Sequence, residues 1–367
     1  MIGTRQKESG NPIQSDGRDI DLRLAQLEGE AAQQKTGPAG GHQGPAAQEW
    51  KHLPMPKADD PTYYDRPLLK EPVWEWVIPL YYYVGGAAGA ALAIGAAAQL
   101  DRSGKLDDLI RRCHWTGIIG TALSAGLLTY DLGRPARFLH MLRVFRPTSP
   151  MNMGVWILCG ASPAAMTAAL FTRRPGIWGR IGDCSGIASG VFGLGLATYT
   201  GVLLSNTAIP LWQQSRSVLP ILFGASAMAS VGSMFDLLVE DRRARRITYT
   251  FGTIGRVAEL AAGAVMQRQA AAVPAVGQPL KSGAGGALWK AATALTAGSL
   301  LAAVLPMRPR NKRMAAGVLG ILGSLLMRYA VAQAGVASAR DARASFHQQR
   351  RHPAKSSTVS QLPCWKT

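Results

Sequence analysis

The sequence predicts an all-α integral membrane protein of about eight transmembrane helices, and three observations support this fold class. Apolar blocks of about 20 residues, the length that crosses about 30 Å of hydrocarbon, recur between positions 73 and 337. The blocks are apolar all round, whereas a core helix of a soluble domain carries only an apolar stripe. Short arginine-rich segments separate the blocks, as expected where loops meet lipid head groups.

Eight blocks are long enough to span a bilayer. The predicted spans are 74–99, 108–130, 153–172, 184–206, 218–239, 250–270, 286–306 and 314–336. Six tryptophans fall near predicted span ends, which favours an aromatic belt: Trp74, Trp76, Trp115, Trp156, Trp212 and Trp289. The sixth span is the weakest, because Arg256 and Glu259 interrupt it. Since they are three residues apart, we expect them to pair and so lower the cost of burial.

The chain divides into three regions by composition. Residues 1–72 are polar and rich in Gly, Pro and Gln, which predicts a largely disordered N-terminal tail, and no signal peptide is visible near Met1. Residues 73–337 form the predicted eight-helix membrane domain, and residues 338–367 form a basic C-terminal tail.

Small residues at a spacing of four indicate close packing between helices. Gly85 and Gly89 lie in the first span, and Gly182, Gly186 and Gly190 lead into the fourth. Such spacing lets helix backbones approach closely in lipid. The sequence therefore favours a compact bundle, with too few polar residues for a wide aqueous pore.

Charge and ligand counts exclude several functions. The formal net charge is +18, but the arginines cluster at the ends of apolar blocks and form no face interleaved with stacking aromatic residues, so we expect no nucleic-acid partner. None of the four cysteines forms a C-x-x-C pair, which speaks against an iron–sulfur cluster or a metal site in this chain. Only His114 and His140 lie near a predicted span, too few to hold two b-type haems.

The distribution of cations predicts an orientation. The loops and span ends opposite the termini carry fifteen Lys and Arg residues, against eight on the side of the termini. The positive-inside rule then places both termini outside. The basic C-terminal tail argues for the reverse orientation.

The segment after the second span concentrates groups that can do chemistry. Asp131 emerges at a membrane boundary, where a carboxylate is suited to proton exchange, and Gly133 and Pro135 break the helix there. Three cationic or titratable side chains follow at a spacing of three and share one face if the segment is helical: Arg134, Arg137 and His140. The alternative is an interfacial loop whose arginines only contact lipid phosphate.

Two stretches here, YDLGRPARFLHML at 130–142 and RPTSPMNMGVW at 146–156, resemble the signature of the NrfD/PsrC family. Members of this family are membrane subunits found with polysulfide-reductase-type molybdoenzymes. Three further stretches resemble the family's first, fourth and last spans: WEWVIPLYYYVGGAAGA, TYTGVLLSNTAIPLW and GSLLMRYAVAQAG. The resemblance covers positions 63–335.

The resemblance implies two four-helix bundles and no haem or iron–sulfur cluster in this chain. It implies a bound quinone, menaquinone or ubiquinone, near the surface where a ferredoxin-like iron–sulfur subunit docks. That subunit exchanges electrons with a molybdopterin catalytic subunit. In most members these partners lie outside the cytoplasmic membrane, which agrees with termini and a quinone site on the extracytoplasmic side of the inner membrane.

The resemblance also implies roles for individual residues. Asp131 matches the family's quinone-site aspartate and is the expected proton-exchanging, catalytic group. Tyr199 matches a quinone-contacting tyrosine on the fourth span. Tyr81 stands where the family often has a histidine; it can donate a hydrogen bond but cannot titrate near neutral pH.

The remaining groups keep two interpretations each. Arg134, Arg137 and His140 either stabilise reduced quinone or hold the docked partner, and we favour docking for Arg137 and a structural role for Arg134. Packing or belt positions are favoured for three other tyrosines: Tyr82, Tyr83 and Tyr130. Other ionisable groups in the spans are candidates for a proton path: Arg256, Glu259, Arg328 and Asp236.

The sequence therefore predicts a quinone-reactive anchor subunit of a respiratory molybdoenzyme complex. Two alternatives stay open. A purely structural anchor, with no working quinone site, is kept open by the Tyr81 substitution. A secondary transporter requires discontinuous helices with paired ionisable sites near the midplane. The terminal substrate of the complex, whether formate, polysulfide, thiosulfate or tetrathionate, is open, although TYYDRPLLKEPVWEW resembles members that accompany formate-dehydrogenase-like proteins of anaerobic respiration.

Overall fold

The structure, a computed structural model, describes residues 68–72, 74, 76–133, 135–305 and 308–351. Nearly all of the predicted N-terminal tail therefore lies outside the described residues. Within them the chain forms α-helices and turns and no strands. The helices are α1 Val77–Gln99, α2 Asp107–Asp131, α3 Pro135–Arg143, α4 Pro150–Phe171, α5 Gly176–Ser205, α6 Pro210–Gln214, α7 Leu219–Leu238, α8 Arg242–Ala271, α9 Pro274–Lys281, α10 Gly283–Val304, α11 Pro309–Arg340 and α12 Ala342–Arg351.

Each of the eight predicted spans overlaps one long helix: α1, α2, α4, α5, α7, α8, α10 and α11. Six of the eight are long and apolar enough by composition to cross a membrane. The exceptions are α2, whose first two turns carry Asp and Arg residues, and α8, which begins with a run of arginines and carries Arg256 and Glu259 further along. These charges lower the mean hydropathy of helices that nevertheless lie within the bundles.

The eight long helices form two four-helix bundles. In the first bundle α1 packs on α2 and α5, and α4 packs on α2 and α5. In the second, α7 packs on α8 and α11, and α10 packs on α11 and α8. Contacts of α1 and α5 with α7 join the bundles. This arrangement confirms the all-α membrane fold predicted from the sequence.

Glycines allow the closest helix contacts in both bundles. A Cβ atom on Gly89 of α1 would lie 2.4 Å from the Gly193 carbonyl oxygen of α5. In the second bundle, a Cβ on Gly232 of α7 would lie 2.1 Å from the Cα of Gly252 on α8. Backbones at these positions touch directly, which is the packing that the spacing of small residues predicts.

The aromatic-belt interpretation is wrong for two of the six tryptophans. Trp212 and Trp289 are buried inside the protein rather than facing lipid. The indole N–H of Trp212 donates to the Val331 carbonyl at 2.9 Å, and its ring packs against Gly335. Trp76, Trp115 and Trp156 are exposed, as a belt requires. A position near the end of a span therefore does not determine whether a tryptophan faces lipid, because packing between helices can bury the ring.

The long helices define two ends of the protein. At one end, here called the site face, α1 begins, α2 ends and the short helices α3 and α6 lie. At the other end, here called the arginine face, α2, α5, α8 and α11 begin. The predicted C-terminal tail starts with helical structure: α11 runs to Arg340, and Ala344 of α12 is buried in the main core.

Candidate functional site

Three tyrosines meet near the site face and are here called the tyrosine cluster: Tyr81 and Tyr82 of α1 and Tyr199 of α5. All three are buried. The ring centroids of Tyr81 and Tyr82 are 5.7 Å apart, and the Tyr81 and Tyr199 hydroxyls lie close to each other. The structure thus brings together two of the residues predicted for the quinone site, Tyr81 and Tyr199. It adds Tyr82, which sequence reasoning assigned to packing.

The hydroxyls of the cluster are not fully hydrogen-bonded. The Tyr81 and Tyr82 oxygens are both buried, and neither has a partner with hydrogen-bond geometry, even though Tyr81 lies beside Tyr199. A buried hydroxyl without a partner is costly, because water no longer satisfies it. Two such hydroxyls side by side can donate hydrogen bonds to acceptor atoms of a bound ligand.

Asp131 is the last residue of α2 and is half-buried. Its carboxylate lies within electrostatic range of the Tyr82 hydroxyl. Leu128, one turn earlier on α2, packs in the same apolar core as all three tyrosines. The predicted proton-exchanging group therefore stands at the rim of the tyrosine cluster, between the buried hydroxyls and the site face.

An aromatic array closes the cluster on the side of the second bundle. Tyr82 contacts Trp74 edge to face, with ring centroids 6.2 Å apart, and Trp74 stacks on Trp212 at 5.3 Å. Tyr82 also contacts Phe223 of α7 at 6.1 Å. These rings fix the orientation of Tyr82 and exclude water from one side of its hydroxyl.

The second family-like motif supports the cluster from α4. A Cβ on Gly154 would lie 1.9 Å from Cζ of Tyr199, so only glycine leaves room for that ring. Asn152 braces the loop before α4: its amide nitrogen donates to the Met141 and Val144 carbonyls at 2.6 and 2.9 Å, and its amide oxygen accepts from the Arg146 N–H at 2.8 Å. The motif therefore joins α3 to the tyrosine cluster.

Helix α3 carries the predicted cationic face. Arg137 and His140 are both exposed, on the side opposite Phe138 and Met141, which pack against the core. This confirms that they share a face, but His140 does not enter the tyrosine cluster. Arg137 donates to the Leu132 carbonyl at 3.2 Å and so caps the end of α2. The prediction for Arg134 lies outside the described residues.

Sequence reasoning missed three residues that shape the site: Asn152, Gly154 and Trp212. The first two lie inside the motif RPTSPMNMGVW, so the signal was present, but their contacts are long-range and leave no local pattern. Tyr130 is exposed, in agreement with a belt position. Tyr83 instead faces the second bundle, where its hydroxyl accepts from Ser230 at 2.8 Å.

The second bundle contains a line of buried ionisable groups, here called the charged row: Asp236, Arg256, Glu259 and Arg328. The predicted pairing of Arg256 with Glu259 is wrong. Arg256 forms its ion pair with Asp236 of α7 at 2.8 Å and also donates to Ser233. The i, i+3 spacing describes contacts within one helix only. The partner of Arg256 instead comes from the neighbouring helix α7, which brings the Asp236 carboxylate next to it.

The charged row continues towards the tyrosine cluster. Glu259 accepts from Ser324 at 3.2 Å and lies within electrostatic range of Arg328. Arg328 donates to the Phe223 carbonyl at 2.7 Å, and its guanidinium lies 4.0 Å from the centre of the Phe223 ring. Since Phe223 also contacts Tyr82, the row reaches from near the arginine face to the edge of the cluster.

The long apolar helices and the buried charges between them define a multi-pass membrane protein. The chain belongs to the NrfD family, since the family model described as "Polysulphide reductase, NrfD" matches residues 67–337. It is also similar to the C subunit of polysulfide reductase from Wolinella succinogenes, with 27% identity over 192 residues. That match covers 46% of this chain and 58% of the relative, so it spans little more than half of the curated protein.

Proposed function

We propose that this protein is the quinone-reactive membrane anchor of a molybdoenzyme complex. In this role it supports the oxidation of a quinol to a quinone, which releases two electrons and two protons, or the reverse reaction. The electrons pass to or from a docked iron–sulfur subunit, since we expect no redox group in this chain. The observation that carries the proposal is the pair of buried, unpartnered hydroxyls of Tyr81 and Tyr82 beside Asp131.

The residues present fit a quinone head group. Its two carbonyl oxygens accept hydrogen bonds, and the Tyr81 and Tyr82 hydroxyls are buried donors, with the Tyr199 hydroxyl beside that of Tyr81. Four pockets of about 300 to 670 Å³ open elsewhere on the described surface. None of these four pockets is lined by the tyrosine cluster or Asp131, so in this proposal the head group enters at the half-buried rim beside Asp131, with side-chain rearrangement of the kind common at binding sites.

Each side chain has a distinct task in this proposal. Tyr81 and Tyr82 orient a carbonyl oxygen and hold its hydrogen bond in a site that excludes water. Asp131 takes up the proton that is released there, or supplies it in the reverse direction, because it is the titratable group at the rim. Gly154 and Asn152 keep Tyr199 and the α3–α4 loop in position.

The surface of α3 and its following loop is the proposed docking surface for the iron–sulfur subunit. It combines the exposed apolar side chains of Leu139 and Phe145 with the exposed arginines Arg137 and Arg143 and the exposed His140. An apolar centre with cationic neighbours is typical of interaction surfaces. With the termini outside, this surface and the quinone site face the extracytoplasmic side of the inner membrane.

The test compares Asp131→Asn with Tyr130→Phe in the assembled complex. We expect Asp131→Asn to lower quinone-linked turnover about 100-fold, the usual contribution of a positioned proton-transfer group. Dye-linked activity of the catalytic subunit should be retained. Tyr130→Phe changes an exposed side chain one position away, and it should leave both activities unchanged.

A purely structural anchor predicts a different outcome. If Asp131→Asn and Tyr81→Phe both keep normal quinone-linked turnover, the chain anchors the complex without a quinone site. Direct binding of a quinone to the purified complex provides a second readout. The transporter alternative gains no support, because Arg256 and Glu259 lie on one continuous helix, α8.

We also propose that the charged row moves protons between the arginine face and the quinone site. Several of its buried atoms have no hydrogen-bond partner: one carboxylate oxygen of Glu259, Nη1 of Arg256, and Nε and Nη1 of Arg328. Unsatisfied polar atoms in a row are the positions where water enters a membrane protein interior. Glu259 is the group in this row best suited to exchange a proton.

Proton movement can be tested in vesicles that contain the complex and a pH-sensitive dye. Glu259→Gln should leave quinone-linked electron transfer within about twofold and abolish the associated pH change across the membrane. Lys290→Gln is a suitable control, because Lys290 is an exposed residue of α10. An unchanged pH signal in Glu259→Gln would refute the proton route and leave the quinone proposal intact.

A further inference from the structure

Five cationic side chains surround one pocket at the arginine face, between the ends of α7, α8, α10 and α11. The pocket has a volume of about 300 Å³, and its cations are Arg242, Arg245, Arg246, Lys312 and Arg313. Among the lining residues the single carboxylate, Asp236, is already paired with Arg256 at 2.8 Å. The lining therefore has a large excess of positive charge.

The backbone adds to this positive potential. Two long helices, α8 and α11, begin at the pocket, and a helix N-terminus carries a partial positive charge. Neither helix has an acidic residue in its first turn. The carboxylate of Asp241 caps α8 by accepting from the Ala244 N–H at 2.8 Å, but Asp241 does not line the pocket. Cations at a helix N-terminus are unfavourable unless an anion is near.

A second arginine cluster on the same face differs from the pocket in its ion pairs. At the start of α2, Arg111 and Arg112 both bind the Asp108 carboxylate, at 2.9 and 2.6 Å. In the pocket, by contrast, Arg245 and Arg313 donate only to backbone carbonyls. Among the described residues, no carboxylate lies within ion-pair distance of the other three pocket cations: Arg242, Arg246 and Lys312. The α2 arginines share one carboxylate, whereas among the described residues no pocket cation forms an ion pair.

We propose that the pocket binds the phosphate head group of an anionic phospholipid from the membrane leaflet at the arginine face. Guanidinium groups bind phosphate through paired charge-assisted hydrogen bonds, and basic pockets between transmembrane helices bind anionic lipid head groups. Tyr249, Ala303 and Ala316 give the pocket an apolar wall. Leu301 and Val304, near the same end of α10, are also exposed apolar side chains.

A free phosphate ion shares the head-group chemistry but has no acyl chains to place on the apolar wall. The lipid and the ion are therefore distinguished by titration of the full-length chain, purified in dodecyl maltoside and stripped of lipid. The ligands are phosphatidylglycerol, phosphatidylcholine and inorganic phosphate, and the readout is the midpoint of thermal unfolding. We expect phosphatidylglycerol to raise the midpoint and the other two to leave it unchanged.

Matched double variants locate the site. Arg242→Gln/Arg246→Gln should raise the half-saturating concentration of phosphatidylglycerol about 30-fold, since each cation contributes roughly fivefold. Arg111→Gln/Arg112→Gln removes the same charge from the α2 cluster, which lies outside the pocket, and should change this concentration by less than about twofold. If the first double variant does not fold, Lys312→Gln alone should show the roughly fivefold loss.

Four outcomes would overturn the proposal. They are an equal response to phosphatidylcholine, an equal response to inorganic phosphate, no effect of the pocket variants, and an equal loss in the α2 variant. None of these readouts depends on quinone-linked activity, so the lipid site and the quinone site can fail independently.

Discussion

The two bundles bury polar groups in different ways. In the second bundle every charged side chain of the charged row has at least one hydrogen-bond partner, such as Asp236 for Arg256 and Ser324 for Glu259. In the first bundle the hydroxyls of Tyr81 and Tyr82 are buried and have none. Charges are too costly to bury without any partner, so each charged side chain of the row keeps at least one hydrogen bond, although some of its other polar atoms have none. Neutral hydroxyls cost less, so the first bundle tolerates two buried donors, which the proposed quinone site would use.

The largest effect that distinguishes the bundles should come from Arg256→Leu in the second. This change leaves the Asp236 carboxylate buried without its ion-pair partner, so we expect the free energy of unfolding to fall by about 3–5 kcal/mol. Denaturant unfolding in detergent, followed by circular dichroism, measures the change. Arg268→Leu, an exposed arginine on the same helix, should stay within about 0.5 kcal/mol.

The double variant Arg256→Leu/Asp236→Leu sharpens this prediction. Because it removes both charges, it should recover most of the stability lost in Arg256→Leu. If the double variant is as unstable as the sum of the single variants, the ion pair is not the reason for the loss.

Gly154→Ala should have the next largest effect, and it acts in the first bundle. The new Cβ would meet the Tyr199 ring at 1.9 Å, so the ring or α4 must move. Overpacking of this kind costs about 1–3 kcal/mol. Gly126→Ala is the matched control, since a Cβ there has nothing within 4 Å, and it should be neutral or slightly stabilising. Equal unfolding free energies for the two variants would contradict the assigned contact.

A smaller effect on stability separates two tyrosines of the same helix. Tyr81→Phe removes a hydroxyl without a partner, so the unfolding free energy should change by less than about 0.5 kcal/mol. Tyr83→Phe removes the hydroxyl that accepts from Ser230 across the bundle interface, and should cost about 1 kcal/mol.

Quinone-linked turnover should show the opposite order. Tyr81→Phe should lower it at least about tenfold, and Tyr83→Phe should lower it less, because only Tyr81 belongs to the tyrosine cluster. A stability loss in Tyr81→Phe as large as in Tyr83→Phe would show that the Tyr81 hydroxyl has a structural partner.

These contrasts show which parts of the protein the sequence could predict. Apolar blocks of span length predicted all eight long helices, because each helix must satisfy its own backbone in lipid. The motif around Asp131 lies where the structure places Asp131 near Tyr82, and the first bundle does bring Tyr81 and Tyr199 together, while their role in a quinone site stays a prediction. Both results depend on local signals: length, apolarity and a contiguous motif.

Tertiary partners could not be predicted in the same way. Arg256 pairs with Asp236 of the neighbouring helix, although Glu259 is closer in sequence. Trp212 is buried against α11, although its position at a span end favoured the interface. The role of Gly154 depends on the Tyr199 ring, 45 positions further along the sequence. In each case a contact between two helices determines the residue's position or partner. The spacing of residues within one helix does not predict such a contact.

The smallest expected effect concerns a contact between the bundles at the arginine face. Asp101, in the loop after α1, forms an ion pair with Arg243 of α8, with N···O 3.0 Å. The pKa of Asp101 is lowered below its ordinary value of 3.8, first because the Ser103 N–H and hydroxyl bind the carboxylate, and further because Arg243 and Arg173 are near. A lowered pKa stabilises the folded state above that value, and the contribution is lost as the pH falls below it.

Asp101→Asn should therefore lower the unfolding temperature at pH 7 by at most about 2 °C, since exposed ion pairs contribute little. The difference from the unaltered protein should begin to shrink near pH 3.8 and should vanish once the pH is below the lowered pKa of Asp101. Arg243→Gln keeps the Ser103 hydrogen bonds and should have a still smaller effect, which about 0.5 M salt should remove. A larger loss, or one independent of pH, would mean that this contact holds the bundles together, and that packing of α1 and α5 on α7 is not sufficient.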